Sequence, residues 1–585
     1  MRQSTVRPRT ICNPIDLPYR LQNLSVGPKR FVCREAADPS VVRFGDRYYM
    51  FPSMSGGFWH SADLVEWTFA ETPSLPNYDY APDVHEVDGA LVVCASHPSR
   101  NGDFYRTTDP LGGNWERIPG SFKFWDPALF QDDDGRLYLY WGCSAKEPIQ
   151  GIELDRDTFQ PIAEPVVLIE SSMATRGWER KGENHRGAPK TLGGALIGLL
   201  GGTGPFIEGA WMTKHAGRYY LQYSAPGTEL NTYADGYFVG EDPLGPFTYA
   251  PQSPFSFKPA GFVTGPGHGS TFQDCHGNWW HAATLRISKA YMFERRVGIF
   301  PAGFDTDGVL FCNQAFADYP IPMPDKQVDP WTLTPPWMLL SGGRPATASS
   351  SAKGHAPELA VNEDIRDWWV PGDDAEGHWL TIDLGEAATI HAIQVNLAEH
   401  KMRAPRRPRS ESRLTALWRR YIDTVDHPTE FLLQSSPDGR DWTTLADTRG
   451  HNSNRTHHYV ELDRPTNHRF VRLTGFRQPY SGLFAVSGLR VFGLRASDPP
   501  AVALPSAVRA GPLDADIRWA PVADADGYVV RYGTAPDKLY HSWMVRGAAE
   551  QRLSSLNAGQ DYWAAVDAFN GSGITRGEPV PIPSS

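Results

Sequence analysis

Residues 41–53 read VVRFGDRYYMFPS: an apolar run, a turn carrying Gly, then an aromatic-rich apolar run. Alternating β-formers on both sides of a turn whose glycine can take φ > 0 predict a β-hairpin. The phrase returns as 84–96 (VHEVDGALVVCAS), 129–142 (LFQDDDGRLYLYWG), 212–224 (MTKHAGRYYLQYS) and 271–285 (TFQDCHGNWWHAATL). Five such hairpins of similar size predict radial repetition, a five-bladed β-propeller over residues 10–325. The expected fold class is all-β.

Just upstream of each hairpin stands a group that can carry charge. Asp38, Asp83, Asp126, Glu208 and His268 lie six to nine residues before the turn glycines. If equivalent positions of all blades face the central axis, these side chains converge in one pocket.

At 585 residues the chain should hold about three domains. Its 19 Trp, 23 Tyr, 28 Phe, 55 Gly and 50 Pro suit a turn-rich β protein better than a helical one. The net charge of −11 gives no electrostatic reason to expect nucleic acid or an anionic membrane as partner. No apolar run approaches the roughly 20 residues of a membrane span. The six cysteines form no CxxC pair, which argues against zinc. They read as small buried residues, with disulfides as the alternative in an oxidising compartment. The first twenty residues lack the apolar core of a secretory signal. The expected location is inside the cell, or secreted or periplasmic if a leader has been removed.

The Pro-rich stretch 319–336 (YPIPMPDKQVDPWTLTPP) reads as an extended linker. Short alternating strands follow over 337–495 and again over 503–585, each region a β-sandwich. The first resembles a factor V/VIII type C, or discoidin, domain. Ala348-Ser349-Ser350, Trp369, Trp379, the run Ile382-Asp383-Leu384-Gly385 and Phe470-Val471-Arg472-Leu473 carry that likeness. The second resembles a fibronectin type III domain, with Trp519, Tyr528, Leu556 and Tyr562 at its core positions. The basic segment 399–421 reads as a solvated surface insertion, with docking of an acidic polysaccharide as the alternative. The Gly-rich run 193–204 reads as a flexible rim loop or a blade connection.

Breaking a glycosidic bond takes two carboxyl groups, one to protonate the leaving oxygen and one to activate water or attack carbon. A third carboxylate nearby can hold the acid's proton. The motifs here resemble glycoside hydrolase family 43 in order and spacing. They are Ala37-Asp38-Pro39, Tyr80-Ala81-Pro82-Asp83, Trp125-Asp126-Pro127, Glu208-Gly209-Ala210-Trp211 and Gly267-His268-Gly269-Ser270. The resemblance implies Asp38 as general base, Glu208 as general acid and Asp126 as the residue that tunes the acid, in an inverting enzyme. Apolar Phe206, Ile207 and Trp211 around Glu208 should desolvate it.

By the same resemblance Asp83 lies near the sugar and His268 near the axis, on water or on a structural calcium ion reached through water. No cofactor is required. Trp59, Trp125, Trp178 and Trp211 are candidates to stack on sugar faces, and Arg286 to meet the carboxylates or a sugar hydroxyl. Segments 177–184 (GWERKGEN) and 223–235 (YSAPGTELNTYAD) resemble the branch that removes a pentose or furanose. The implied activity is exo-release of a terminal sugar, α-L-arabinofuranose first, from a polysaccharide or oligosaccharide. β-Xylosidase and β-galactofuranosidase are the alternatives, and a non-catalytic carbohydrate-binding propeller is the rival from another class. All assigned chemistry lies in the propeller, so the sandwiches should supply no catalytic group. A chain ending near residue 330 should keep its turnover on small glycosides.

Overall fold

The computed structural model describes residues 9–26, 29–76, 80–97, 99–187, 204–289, 291–403, 413–414, 419–452 and 454–583. Most of the Gly-rich run and most of the basic insertion lie outside these. No described helix is long and apolar enough to cross a membrane.

Each repeated phrase forms its hairpin, and all five turn glycines (45, 89, 135, 217 and 277) hold positive φ. Two further strands extend each hairpin into a four-stranded antiparallel blade. Blade one is Ser40–Phe44, Arg47–Phe51, Gly57–Ser61 and Thr68–Glu71, and blade two is Asp83–Val87, Ala90–Cys94, Phe104–Thr107 and Glu116–Ile118. Blade three is Ala128–Gln131, Leu137–Trp141, Ile149–Leu154 and Val166–Ile169. Glu208–His215, Arg218–Ala225, Ala234–Gly240 and Phe247–Tyr249 make blade four. Gly269–Gln273, Trp279–Arg286, Arg295–Phe304 and Leu310–Cys312 make blade five. Consecutive strands complete every blade, and Thr10–Ile11 pairs with Ile321–Pro322 to join the two ends of the ring. All six cysteines are unpaired; four are buried and Cys275 is exposed.

The second region is a β-sandwich organised by two 21-residue strands, His378–Ala398 and His457–Arg477. They pair with each other and bend where the register shifts near Asp383 and Ile390. Leu380, Ile382, Ile393, Val471, Leu473 and Val491 fill its core. The third region packs a three-stranded sheet on a five-stranded one. Trp519, Tyr528, Leu556 and Tyr562 are buried between them.

The regions do not behave as beads on a string. One continuous core runs from Tyr140, Trp178 and Phe238 in the propeller to Trp543, Leu556 and Tyr562 in the third region. A second joins Phe316 and Tyr319 to Phe492 of the sandwich and Phe569 beyond it. The Pro-rich stretch is a docked connector, not a free linker: Trp331 packs edge-on against Phe311 and Tyr540. The basic insertion is not wholly solvated either. Its last residues open the strand Arg419–Asp423, which pairs with Leu21–Val26 beside the propeller. A basic run can therefore be interface where its end runs into Tyr421 and Ile422 and meets a free sheet edge.

Candidate active site

The innermost strand of every blade begins with the same backbone device. One residue there takes positive φ: Asp38, Ala81, Asp126, Gly209 and His268, at 45° to 63°. A non-glycine residue held so costs on the order of 1 kcal/mol and needs fixing by its surroundings. The fixing comes from a ring of hydroxyls. Thr284 Oγ1 accepts the Asp38 N–H, Ser53 Oγ that of Ala81, Ser96 Oγ that of Asp126 and Ser224 Oγ that of His268, each at 2.8 Å. Each blade thereby holds the inner end of its neighbour. The ring is broken once, between blades three and four. Gly142 stands at the hydroxyl position there, and the next residue, Cys143, donates its thiol to Glu208 Oε2 at 3.1 Å.

This frame turns Asp38, Asp126 and His268 toward one point. His268 Nδ1 lies 3.6 Å from Asp38 Oδ1 and 3.7 Å from Asp126 Oδ2. Glu208, one residue earlier in its blade, joins them: single ligand atoms of Asp126, Cys143 and Glu208 all lie within 4.8 Å of one another. Tyr233 donates to Glu208 Oε1 at 2.5 Å. Ile207 and Trp211 beside Glu208 are buried as expected, whereas Phe206 is exposed and does not wrap it.

The electrostatics separate the carboxyl groups. Burial alone would raise Asp38, but the Arg295 guanidinium, His268 and the hydroxyls of Ser53 and Thr284 outweigh it and hold the carboxyl below its ordinary range. Arg295 meets both oxygens, at 3.1 and 3.2 Å. Asp126 goes the other way. Burial, with Glu208 and Asp38 close by, pushes it up to about 7 against the pull of His268 and Cys143. Burial opposes charge on His268, yet Asp38, Asp126, Glu208 and Asp235 raise it overall. The site thus offers one firmly ionised carboxylate, one carboxyl that carries its proton near neutrality, and Glu208 beside the second.

Other expected residues are placed elsewhere. Asp83 is offset by two residues from the inward position, which Ala81 occupies. It ties blades together by accepting from Ser40 Oγ, His85 Nδ1 and Leu129 N. Trp59 is fully buried between Tyr19 and Phe69 and shows no face to a sugar. Trp178 is likewise buried, donating to Tyr249. Trp211 packs on His85 and donates to Thr271 O, a plug among blades two, four and five. Trp125 alone of the four is part-exposed. Arg286 meets Glu183 and the Glu229 carbonyl. Its cross-strand partner Arg295 is the arginine that reaches Asp38.

Calcium asks for six to eight oxygen ligands. Around His268 the carboxylates are already engaged: Asp38 by Arg295, Ser53 and Thr284, and Asp235 by Ser224, His268 N and His281. His268 Nδ1 itself faces Asp38 and Asp126. These residues do not fit a calcium cage.

The family model described as glycosyl hydrolases family 43 matches residues 31–310, and that described as the F5/8 type C domain matches 407–485. Among curated proteins the chain is similar to a xylan 1,3-beta-xylosidase of a Vibrio species, 29% identical over 286 residues, covering 43% of this chain and 48% of that protein. It is similar to a beta-xylosidase of Xylanibacter ruminicola, 31% identical over 257 residues, covering 36% of this chain and 77% of that protein. A xylosidase/arabinosidase 43A of Humicola insolens is 28% identical over 327 residues, covering 47% and 95% respectively. The chain spans about half the length of the Vibrio relative.

Proposed function

Because this chain belongs to the glycosyl hydrolases of family 43, we propose that it hydrolyses O-glycosidic bonds with inversion, releasing one terminal sugar at a time. The observation that carries this reading is the convergence of Asp38, Asp126 and Glu208 from three blades, with Asp38 held ionised and Asp126 raised to about 7.

Each residue then has a task. Asp38, kept as a carboxylate by Arg295, takes a proton from the water that attacks the anomeric carbon. Glu208 stands at the leaving oxygen as the acid. Asp126 holds a proton about half the time near pH 7 and lies beside Glu208, so the pair can deliver that proton as the bond breaks. Cys143 and Tyr233 orient the Glu208 carboxyl through one oxygen each. His268, whose proton affinity Asp38, Asp126 and Glu208 raise against the effect of burial, offsets the mutual repulsion of those carboxyl groups when it carries its proton.

The names of the relatives favour a pentose, so the reading extends to β-D-xylosides and α-L-arabinofuranosides as substrates. A panel of para-nitrophenyl glycosides tests it. The highest kcat/KM is expected on the β-D-xyloside or the α-L-arabinofuranoside. Release from the β-D-galactofuranoside or hexopyranosides alone, or from none, would contradict it.

A further inference from the structure

Behind the base lies a line of four buried charges that starts in the propeller and ends outside it. Arg295 holds Asp38 with both ends of its guanidinium, and its Nη2 also donates to Glu35 Oε1 at 3.0 Å. The other oxygen of Glu35 accepts from Arg420 Nη1 at 2.6 Å. Glu35 and Arg420 are 0% and 1% exposed. Arg420 sits on the strand Arg419–Asp423, opposite Leu24. Gln22 Oε1 accepts from it at 2.6 Å, and the Tyr80 hydroxyl at 3.3 Å.

The signs alternate: minus, plus, minus, plus. Arg295 serves two carboxylates, so how firmly it holds Asp38 depends on what else neutralises Glu35. With Arg420 in place, Glu35 has a cation of its own. Without it, one buried cation faces two buried anions, and losing one partner of such a pair is costly. We infer that Arg420, supplied from outside the propeller, is a positioning residue for Asp38, acting through Glu35 and Arg295 to set the charge balance and direction of that carboxylate. The inference rests on Asp38 acting as the base.

The surroundings allow a clean reading. His268, Ser53 and Thr284 also face Asp38, with Asp126, Glu208 and Tyr233 across the site. Tyr80, Tyr291 and Cys33 face Glu35 and Arg420, and burial raises all three, so they stay neutral below pH 8.

The test compares Arg420→Met, Arg420→Lys and the double variant Glu35→Gln/Arg420→Met in the full chain. In Arg420→Met the acid limb of kcat/KM on an aryl pentoside should move up by about one pH unit or more. Arg420→Lys should recover part of that shift. The double variant, again balanced in charge, should return the limb to within about 0.3 units of wild type, the signature of coupling between neighbours. A loss in Arg420→Met that is equal at every pH, or that Glu35→Gln does not relieve, would overturn the inference. A double variant that fails to fold would overturn it as well, since the balanced pair is held to be tolerated.

A substrate-free readout keeps the two readings apart. The Tm gap between wild type and Arg420→Met should narrow from pH 7 to pH 4, as the unbalanced carboxylates of the folded variant take up protons. A constant gap overturns the relay even if the enzyme is active. A wild type that cleaves no aryl glycoside sinks the activity reading and leaves this test standing.

Discussion

Cys143 donates its thiol to Glu208 Oε2 at 3.1 Å, at the one place where the ring of blade-joining hydroxyls is interrupted. Burial, with Asp126 and Glu208 beside it, raises this thiol well above its ordinary range, so it keeps its hydrogen and acts as a donor. Cys143→Ala should lower kcat/KM on natural glycosides about three- to tenfold, the worth of one net hydrogen bond, and Cys143→Ser should restore most of it. Iodoacetamide at pH 7.5 should label the exposed Cys275 and spare Cys143, as read by mass spectrometry. Rapid inactivation with label on Cys143 would contradict the assignment.

The roles proposed for Asp38 and Glu208 differ in how they respond to the leaving group. Asp38→Asn should cost roughly 10³-fold or more on every substrate, because the attacking water loses its proton acceptor. Glu208→Gln should cost about 10²- to 10⁴-fold on alkyl or sugar leaving groups, yet little on 2,4-dinitrophenol, which departs without protonation. Equal losses on both would remove Glu208 from the acid's role.

The raised carboxyl of Asp126 links activity to stability. Its folded value of about 7 exceeds the unfolded one, so between these values the folded state binds the extra proton and stability falls as pH rises. Asp126→Asn removes that burden. Its Tm should exceed the wild-type value at pH 8, by the equivalent of up to about 4 kcal/mol, and converge on it near pH 4. Wild-type kcat/KM should decline on the alkaline side with an apparent midpoint near 7, and Asp126→Asn should lose most activity with that limb abolished. A variant with unchanged Tm at pH 8 would show that burial does not burden this carboxyl.

The shared cores change the expectation for truncation. A chain ending at residue 330 would uncover Trp178, Phe257 and Phe316 and remove Arg420 from Glu35. It should be insoluble or melt well below the full chain, by differential scanning fluorimetry. A soluble fragment with full turnover on an aryl pentoside would show that the propeller stands alone.

The blades were legible because five hairpins repeat their period and turn glycine, and the three carboxyl groups because they precede those hairpins at nearly fixed spacing. Asp83 misled by being acidic at a similar distance, although the Ala81-Pro82 pair, matching Asp38-Pro39 and Asp126-Pro127, marks the true inward position. The hydroxyl ring could have been found in the serines closing three of the five phrases. Arg295 could not: it lies on a third strand, and only the ladder that sets it against Arg286 distinguishes the two. Arg420 was further hidden, since a contact across hundreds of residues leaves no period in a sequence. Trp59, Trp178 and Trp211, unlike the part-exposed Trp125, are buried for a common reason. Large rings fill gaps between blades as readily as they face a sugar.

The stereochemistry of the first product tests the central claim most directly. Hydrolysis of an aryl β-D-xyloside or α-L-arabinofuranoside should be followed by proton NMR from the first minutes, before mutarotation. An inverting enzyme with Asp38 as base gives α-xylose or β-arabinofuranose first. Initial appearance of the retained anomer would mean that a carboxylate attacks the sugar itself, and would contradict the account.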